Sequence, residues 1–259
     1  MRIALLSLGL LAAATAARAG DDPICAQRPG KATPPCVMDA GQAQIETGLA
    51  DAVFLRRAGA REDSYVFGAS ELRLGLTSRL EVEAGWSPLV VDIQRGGTRR
   101  TGVGDATLAV LGALTDPEGR GVAVAAQAFA TLPTATHGLG AGGWTGGLRL
   151  PVSFQAGANG FGLTPEVDIL RDAVGGGVHA AWVGVGAVSH TFDKASTTLG
   201  AELWGEVEDD PQGVIRRASA DLTAAVIIGK DLQLDAGANF GLNRATPNTE
   251  VYVGVSRRF

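Results

Sequence analysis

Beyond residue 40 the hydrophobic and polar positions of this chain alternate with a period of two over long runs. Leu80, Val82, Ala84 and Trp86 alternate with Glu81, Glu83, Gly85 and Ser87. Ala218, Ala220, Leu222, Ala224, Val226 and Ile228 alternate with Arg217, Ser219, Asp221, Thr223 and Ala225. Leu232, Leu234, Ala236, Ala238, Phe240 and Leu242 do the same against Gln233, Asp235, Gly237, Asn239, Gly241 and Asn243. Such alternation sorts residues onto the two faces of a strand. The runs reach ~10 residues, whereas strands of soluble sheets average about 5–6 and a tilted membrane-crossing strand needs roughly 9–11. Helical periodicity is scarce, and after residue 20 no apolar run approaches the ~20 residues of a transmembrane helix.

Short polar breaks fall near Thr77-Ser78, Asp116-Pro117, Gly157 to Gly160, Asp193-Lys194 and Lys230-Asp231. They recur roughly every 35–42 residues, room for two membrane-crossing strands and a loop. Between them lie longer polar stretches at 56–63, 94–102, 133–143, 171–177, 208–216 and 244–249. Short turns on one side and long loops on the other are the asymmetry of outer-membrane barrels. The pattern predicts an all-β chain: a transmembrane antiparallel β-barrel of 12 strands over residues 41–259, both ends on the short-turn side. A secreted sandwich or a soluble β-barrel binding a small ligand would also alternate, but with shorter strands and a lysine-rich outer face. Lys31, Lys194 and Lys230 are the only lysines here. The last strand closes on Phe259, which resembles the signal by which barrel-insertion machinery recognises its substrates, although Arg257 shares its face.

The first residues carry a different pattern. Met1-Arg2, the apolar run Ile3 to Ala17 and Ala17-Arg18-Ala19 have the layout of a secretory signal peptide, residues 1–19. Its removal takes two arginines and no acid, so a net charge of −5 becomes −7. That balance argues against a nucleic-acid partner, which needs a basic face. Residues 20–40 then form a periplasmic N-terminal segment at the barrel mouth, whose prolines and paired cysteines make it a candidate plug for a narrow lumen. In an oxidising compartment Cys25 and Cys36, the only cysteines, are read as a disulfide loop, ahead of a metal site or a reactive thiol.

Cys25-Ala26-Gln27-Arg28-Pro29-Gly30-Lys31 with Cys36, followed by Gln44-Ile45-Glu46-Thr47-Gly48, resembles the mature N-terminus of the MetA-pathway phenol-degradation family. Arg79-Leu80-Glu81-Val82, Gly102-Val103-Gly104-Asp105 and Leu132-Pro133-Thr134 resemble its later motifs. Gln27 stands where the family pattern has an acidic residue. The resemblance implies an outer-membrane, transporter-like barrel associated with aromatic catabolism.

With apolar faces toward lipid, strand parity assigns an inward set. It comprises Glu46, Glu71, Arg73, Glu81, Glu83, Arg149, Glu166, Asp168, Glu202, Glu206, Arg217, Asp221, Asp235, Glu250, Tyr252 and Arg258. Eleven carboxylates face four arginines, so pairing among wall residues cannot neutralise the set; some acids must be hydrated or protonated. Arg56, Arg57, Arg61, Arg95, Arg99, Arg100, Arg171, Arg216, Arg217 and Arg244 fall in or beside the outer loops, where lipopolysaccharide phosphates or plain hydration would suit them. Outer-membrane lipid is the surrounding partner.

An enzyme is not expected. His137, His179 and His190 are the only histidines, and neighbours Ser189 and His190 point to opposite faces of a strand. No cofactor and no metal site is expected either. The reading is a channel or transporter-like barrel for passive uptake or efflux of small solutes, aromatic ones suggested by the resemblance. Its alternatives are a closed structural or adhesive barrel and, less favoured, the soluble ligand binder.

Overall fold

The computed structural model describes residues 23–57, 60–94, 96–115, 121–192 and 196–259. The expected signal peptide and the turns at 116–117 and 193–194 lie outside the described residues. Strand β1 (Ala43–Arg57) runs the full height of a wall. Beside it β2 (Ala60–Phe67) and β3 (Ala69–Thr77) are separated only by Gly68, whose φ of 71° bends the chain there. They pair with the outer and inner halves of β1 and so make one stave. In the same way β4 (Leu80–Trp86) and β5 (Leu89–Gln94) are one stave broken at Ser87-Pro88. β6 (Arg99–Gly102) and β7 (Ala106–Thr115) form the next, β8 (Ala123–Leu132) follows, and β9 (Thr145–Arg149) with β10 (Val152–Ala156) is broken at Leu150-Pro151. Proline has no N–H to give to a ladder, which explains two of the breaks.

Six unbroken strands complete the wall: β11 (Asn159–Arg171), β12 (Val178–Phe192), β13 (Thr197–Asp210), β14 (Gly213–Ile228), β15 (Leu232–Gly241) and β16 (Thr249–Arg258). All neighbours are antiparallel, and β16 pairs with β1 from Gln44↔Arg258 to Phe54↔Thr249. The result is a closed 12-stranded barrel. Closure matters because an unpaired strand edge in lipid would cost several kcal/mol per exposed backbone group, roughly.

The barrel is inside out by soluble standards. Leu72, Leu74 and Leu76 on β3, Leu108 and Val110 on β7, Leu199 and Leu203 on β13, and Val251 and Val253 on β16 are exposed. Arg73, Glu81, Gln44 and Ser256 are 0% exposed. Alternation alone is silent about which face looks inward; these exposures decide it, and the outer face is a lipid face. On β12 the exposed Trp182 and Phe192 stand ten residues apart, about the ~25 Å height of an apolar band.

Among the described residues, three stretches expected as loops carry ladder instead, the 94–102 stretch by pairing Arg99 with Ile93. Arg56 pairs with Arg61, and Asp210 pairs with Gly213 around Pro211-Gln212. A run of charge reads as loop by composition, but a hairpin rising above the membrane has two wet faces, and charge suits it. The 133–143 stretch is a loop, and it is latched down. Asp105 Oδ1 and Oδ2 accept the backbone N–H groups of Ala135 and Ala141, each at 2.8 Å, and the Thr136 hydroxyl accepts from Val103 N–H at 3.1 Å.

Each charge-assisted bond of this kind contributes about 1.5–3 kcal/mol. In Asp105→Ala the amides of Ala135 and Ala141 should therefore exchange hydrogen at least about tenfold faster, with wall strands unchanged. Native-state hydrogen exchange by mass spectrometry reads this directly, and equal protection would show that the latch holds nothing.

A strapped polar lumen as the candidate functional site

Residues 23–42 do not hang beneath the barrel; they run up into it and return. Ile24 N–H donates to the carbonyl of Lys230 at the short-turn end, at 2.7 Å. The chain rises to an apex around Arg28 to Thr33 and comes back to the wall at Gln42, whose carbonyl accepts Gly75 N–H at 3.0 Å. A disulfide joins Cys25 to Cys36 and closes the base of this strap. Wall glycines make room for it. A Cβ on Gly75 would collide with the carbonyls of Met38 and Asp39, and one on Gly254 with the Arg28 guanidinium.

The strap is held by wall carboxylates. Glu46 accepts the backbone N–H groups of Gln27 and Arg28, both at 3.0 Å. Glu202 accepts those of Lys31 at 2.7 Å and Ala32 at 3.2 Å, and Glu81 accepts that of Met38 at 2.5 Å. Arg73 binds Glu46 at 3.0 Å and Glu81 at 2.8 Å, while its remaining N–H groups donate to the carbonyls of Cys25 at 2.7 Å and Cys36 at 3.1 Å. One guanidinium thus ties two wall acids to both half-cystines.

The apex supplies cations. Arg28 Nη2 sits 3.0 Å from Asp235 and its guanidinium lies over the Tyr252 ring. Lys31 Nζ reaches Asp221 at 3.1 Å and Ser219 at 2.9 Å, with the Trp204 ring 4.9 Å away. Glu83 accepts from Gln27 at 2.6 Å and Gln127 at 2.5 Å. Cavities remain on both sides. One of about 380 Å³ lies between Lys31, Thr33 and the wall residues Arg149, Glu166, Asp168 and Trp204. Another, of about 310 Å³, lies between Arg28 and the wall residues Glu71, Ser70 and Thr107.

This chain matches, over residues 26–259, the family described as "Putative MetA-pathway of phenol degradation". It belongs to that family. Among solved structures it is similar to an outer membrane channel from Pseudomonas putida F1, at 18% identity and a TM-score of 0.70, covering 89% of this chain and 99% of that one. It also resembles the NanC porin (11% identity, TM-score 0.51, 83% and 98% covered). The translocator domain of the autotransporter NalP from Neisseria meningitidis is a further likeness (14%, 0.50, 84% and 87%). At such identities the likeness is one of fold, that of outer-membrane barrels. A search among curated proteins gave no significant sequence match.

The motifs by which the sequence resembled the phenol-degradation family meet in space. The Cys25 to Lys31 stretch is the strap, and Gln44 to Gly48 is its wall partner: Gln44 donates to the Cys25 carbonyl at 3.1 Å and to Glu46 at 2.8 Å. Gly102 to Asp105 and Leu132 to Thr134 form the loop latch, where Ala106 N–H also donates to the Thr134 hydroxyl at 2.8 Å.

Of the sixteen positions assigned inward by parity, Glu46, Arg73, Glu81, Glu83, Glu202, Asp221, Asp235, Tyr252 and Arg258 are buried, and Glu71, Arg149, Glu166, Asp168, Glu206, Arg217 and Glu250 are half-buried. Several pair within the wall. Arg149 binds Glu166 at 2.9 Å, Arg217 binds Glu206 at 2.7 Å and Glu208 at 2.6 Å, and Arg258 binds Asp231 at 2.7 Å. Asn239 donates to Glu250 at 2.6 Å. Phe259 is exposed on the outer face, its N–H donating to the Ala43 carbonyl at 2.8 Å. Ser189 and His190 point to opposite faces, and His190 packs edge-on against Phe192 on the lipid side.

Arg28, Lys31, Gln44 and Gln127 were missed by the inward assignment. The clue was available for two of them: the excess of wall acid demanded cations from elsewhere, and the N-terminal segment carries both an Arg and a Lys within seven residues of Cys25. At the outer mouth, beyond Trp182, His179 contacts Asp172 and Glu208. Its hydrogen bond to Asp172 is the largest cause raising its imidazole above the usual range, with burial opposing. Asp210 beside it is held below the usual carboxylate range by the backbone N–H groups of Ala173 and Gln212.

Arg73→Met leaves Glu46 and Glu81 buried without their cation. Breaking such a buried group costs roughly 3–5 kcal/mol. The variant should unfold at distinctly lower temperature or denaturant in detergent, read by the loss of compact gel mobility, whereas Arg257→Met on the exposed outer face should leave it unchanged.

Proposed function

We propose that this barrel is a narrow outer-membrane channel through which small solutes diffuse passively, with residues 23–42 as a tethered constriction inside it. The observation that carries the reading is the strap itself. A barrel filled only for strength would be cheapest to fill with apolar side chains from its own wall. Here a separate polar segment, stapled at its base and flanked by cavities, occupies a lumen lined with charge. Twelve strands lie between the filled eight-stranded barrels and the open sixteen-stranded porins, roughly, so one side chain or one segment suffices to set the width.

Selectivity follows from the wall. Arg28 and Lys31 join the four inward arginines, and carboxylates still outnumber cations, which favours cation passage. The family's name supports aromatic, phenol-like solutes as the natural cargo. A small phenol is neutral at pH 7 and would pass beside the Trp204 and Tyr252 rings without paying for charge. The same reading includes cleavage of residues 1–19 on export, recognition of the Phe259 strand by the insertion machinery, and contact of the outer arginines with lipopolysaccharide phosphates.

Planar-bilayer recording of the refolded mature chain tests it. The wild type should give small, cation-preferring steps, and removal of residues 20–40 should enlarge them severalfold. Arg28→Gln with Lys31→Gln should raise the cation preference further. If deletion leaves conductance unchanged, the strap is no constriction. If neither form conducts or swells liposomes with phenol-sized solutes, the closed structural barrel is the better account.

A further inference from the structure

The cluster around His179 plays no part in holding the strap. Its donors come from three places: Asp172 in the loop after β11, His179 near the start of β12, and Asp210 at the end of β13. Nδ1 of His179 lies 2.9 Å from Asp172 Oδ1 and 3.6 Å from Asp210 Oδ2. We propose that Asp172, His179 and Asp210 form a binding site for a divalent first-row transition cation of the zinc class, at the outer mouth of the barrel.

The spacing fits. Ligands at ~2.0–2.1 Å around a tetrahedral ion lie about 3.3 Å from one another, and the three donor atoms here all lie within 4.8 Å of one another. The far side of the imidazole fits as well. Nε2 faces Glu208 Oε1 at 3.2 Å, and Glu208 Oε2 accepts from Arg217 Nη1 at 2.6 Å. A carboxylate on the second ring nitrogen is the usual support of a metal-bound histidine, because it fixes the ring and places the free lone pair on the nitrogen facing the ion.

Backbone N–H groups position the Asp210 carboxylate, while the Asp172 carboxylate is carried on a loop closed by its own main chain. Asp210 Oδ1 accepts Gln212 N–H at 2.6 Å and Oδ2 accepts Ala173 N–H at 2.8 Å. Asp172 N–H closes the loop onto the Gly177 carbonyl at 3.2 Å, and a Cβ on Gly177 would run into Asp172 Oδ2. One nitrogen and two oxygen donors, with no thiolate, suit zinc, nickel or manganese over ions that seek sulfur. On binding, the cation takes the place of the Nδ1 proton, which leaves to solvent. The three donors are separated by 7 and 31 residues and share no motif spacing, so the sequence does not display the cluster.

Equilibrium dialysis of the refolded full-length mature chain against micromolar zinc chloride, with bound metal counted by mass spectrometry, tests the site. One equivalent of zinc should bind, and both His179→Ala and Asp172→Asn should weaken it at least tenfold. Cobalt(II) in its place should give visible d–d absorption that His179→Ala abolishes. His190→Ala, on the lipid face, should bind as the wild type does. Compact gel mobility establishes that each variant is folded, and the near-isosteric Asp172→Asn decides the matter if His179→Ala is not. Absence of stoichiometric zinc in the wild type, or equal binding by folded Asp172→Asn, overturns the proposal. Neither result bears on conductance, so the channel reading stands or falls separately.

Discussion

Carboxylates enclosed by a barrel wall persist only where each has a cation, a hydrogen-bond donor or water, and Arg73 is where this constraint is met most tightly. Its guanidinium has no exposed surface and serves Glu46, Glu81 and the carbonyls of Cys25 and Cys36 together. Planarity and five fixed donors let one arginine do this where a lysine would not. The strap's route follows from that meeting point. Its disulfide sits beside Arg73, its apex continues upward past Glu46 and Glu202, and both acids take backbone N–H groups that no side chain would otherwise satisfy.

The wall and the strap are therefore complementary halves of one polar core. A charged inner wall alone would hold a wide column of water. A proline-containing segment alone would leave its N–H groups to water and have nothing to fix its course. Together they leave cavities on two sides rather than a full pore or a solid plug. The glycine content acquires a local reason at Gly75 and Gly254, where backbone and guanidinium approach closer than any Cβ allows.

Much of the wall was legible in the sequence because strand alternation is local. A residue's face is settled by its immediate neighbours, so Glu81, Glu83, Asp221 and Asp235 could be grouped without knowing the fold. The outer hairpins were less legible: Arg56, Arg61 and Asp210 look like loop residues because charge, not pairing, dominates their composition. The broken staves at Gly68, Ser87-Pro88 and Leu150-Pro151 were invisible too, since two short strands and one interrupted strand read alike.

By itself the sequence determined the strand character, the number of staves and the sets of residues that share a face, all consequences of short-range geometry and of the length a membrane crossing requires. Only the tertiary structure decided which face looks inward and that residues 23–42 enter the lumen. It alone placed Lys31 against Asp221, 190 residues away, and gathered Asp172, His179 and Asp210 at one mouth. The physical reason is closure. Until β16 meets β1 there is no inside, and the contacts that satisfy the lumen charges exist only between segments far apart along the chain.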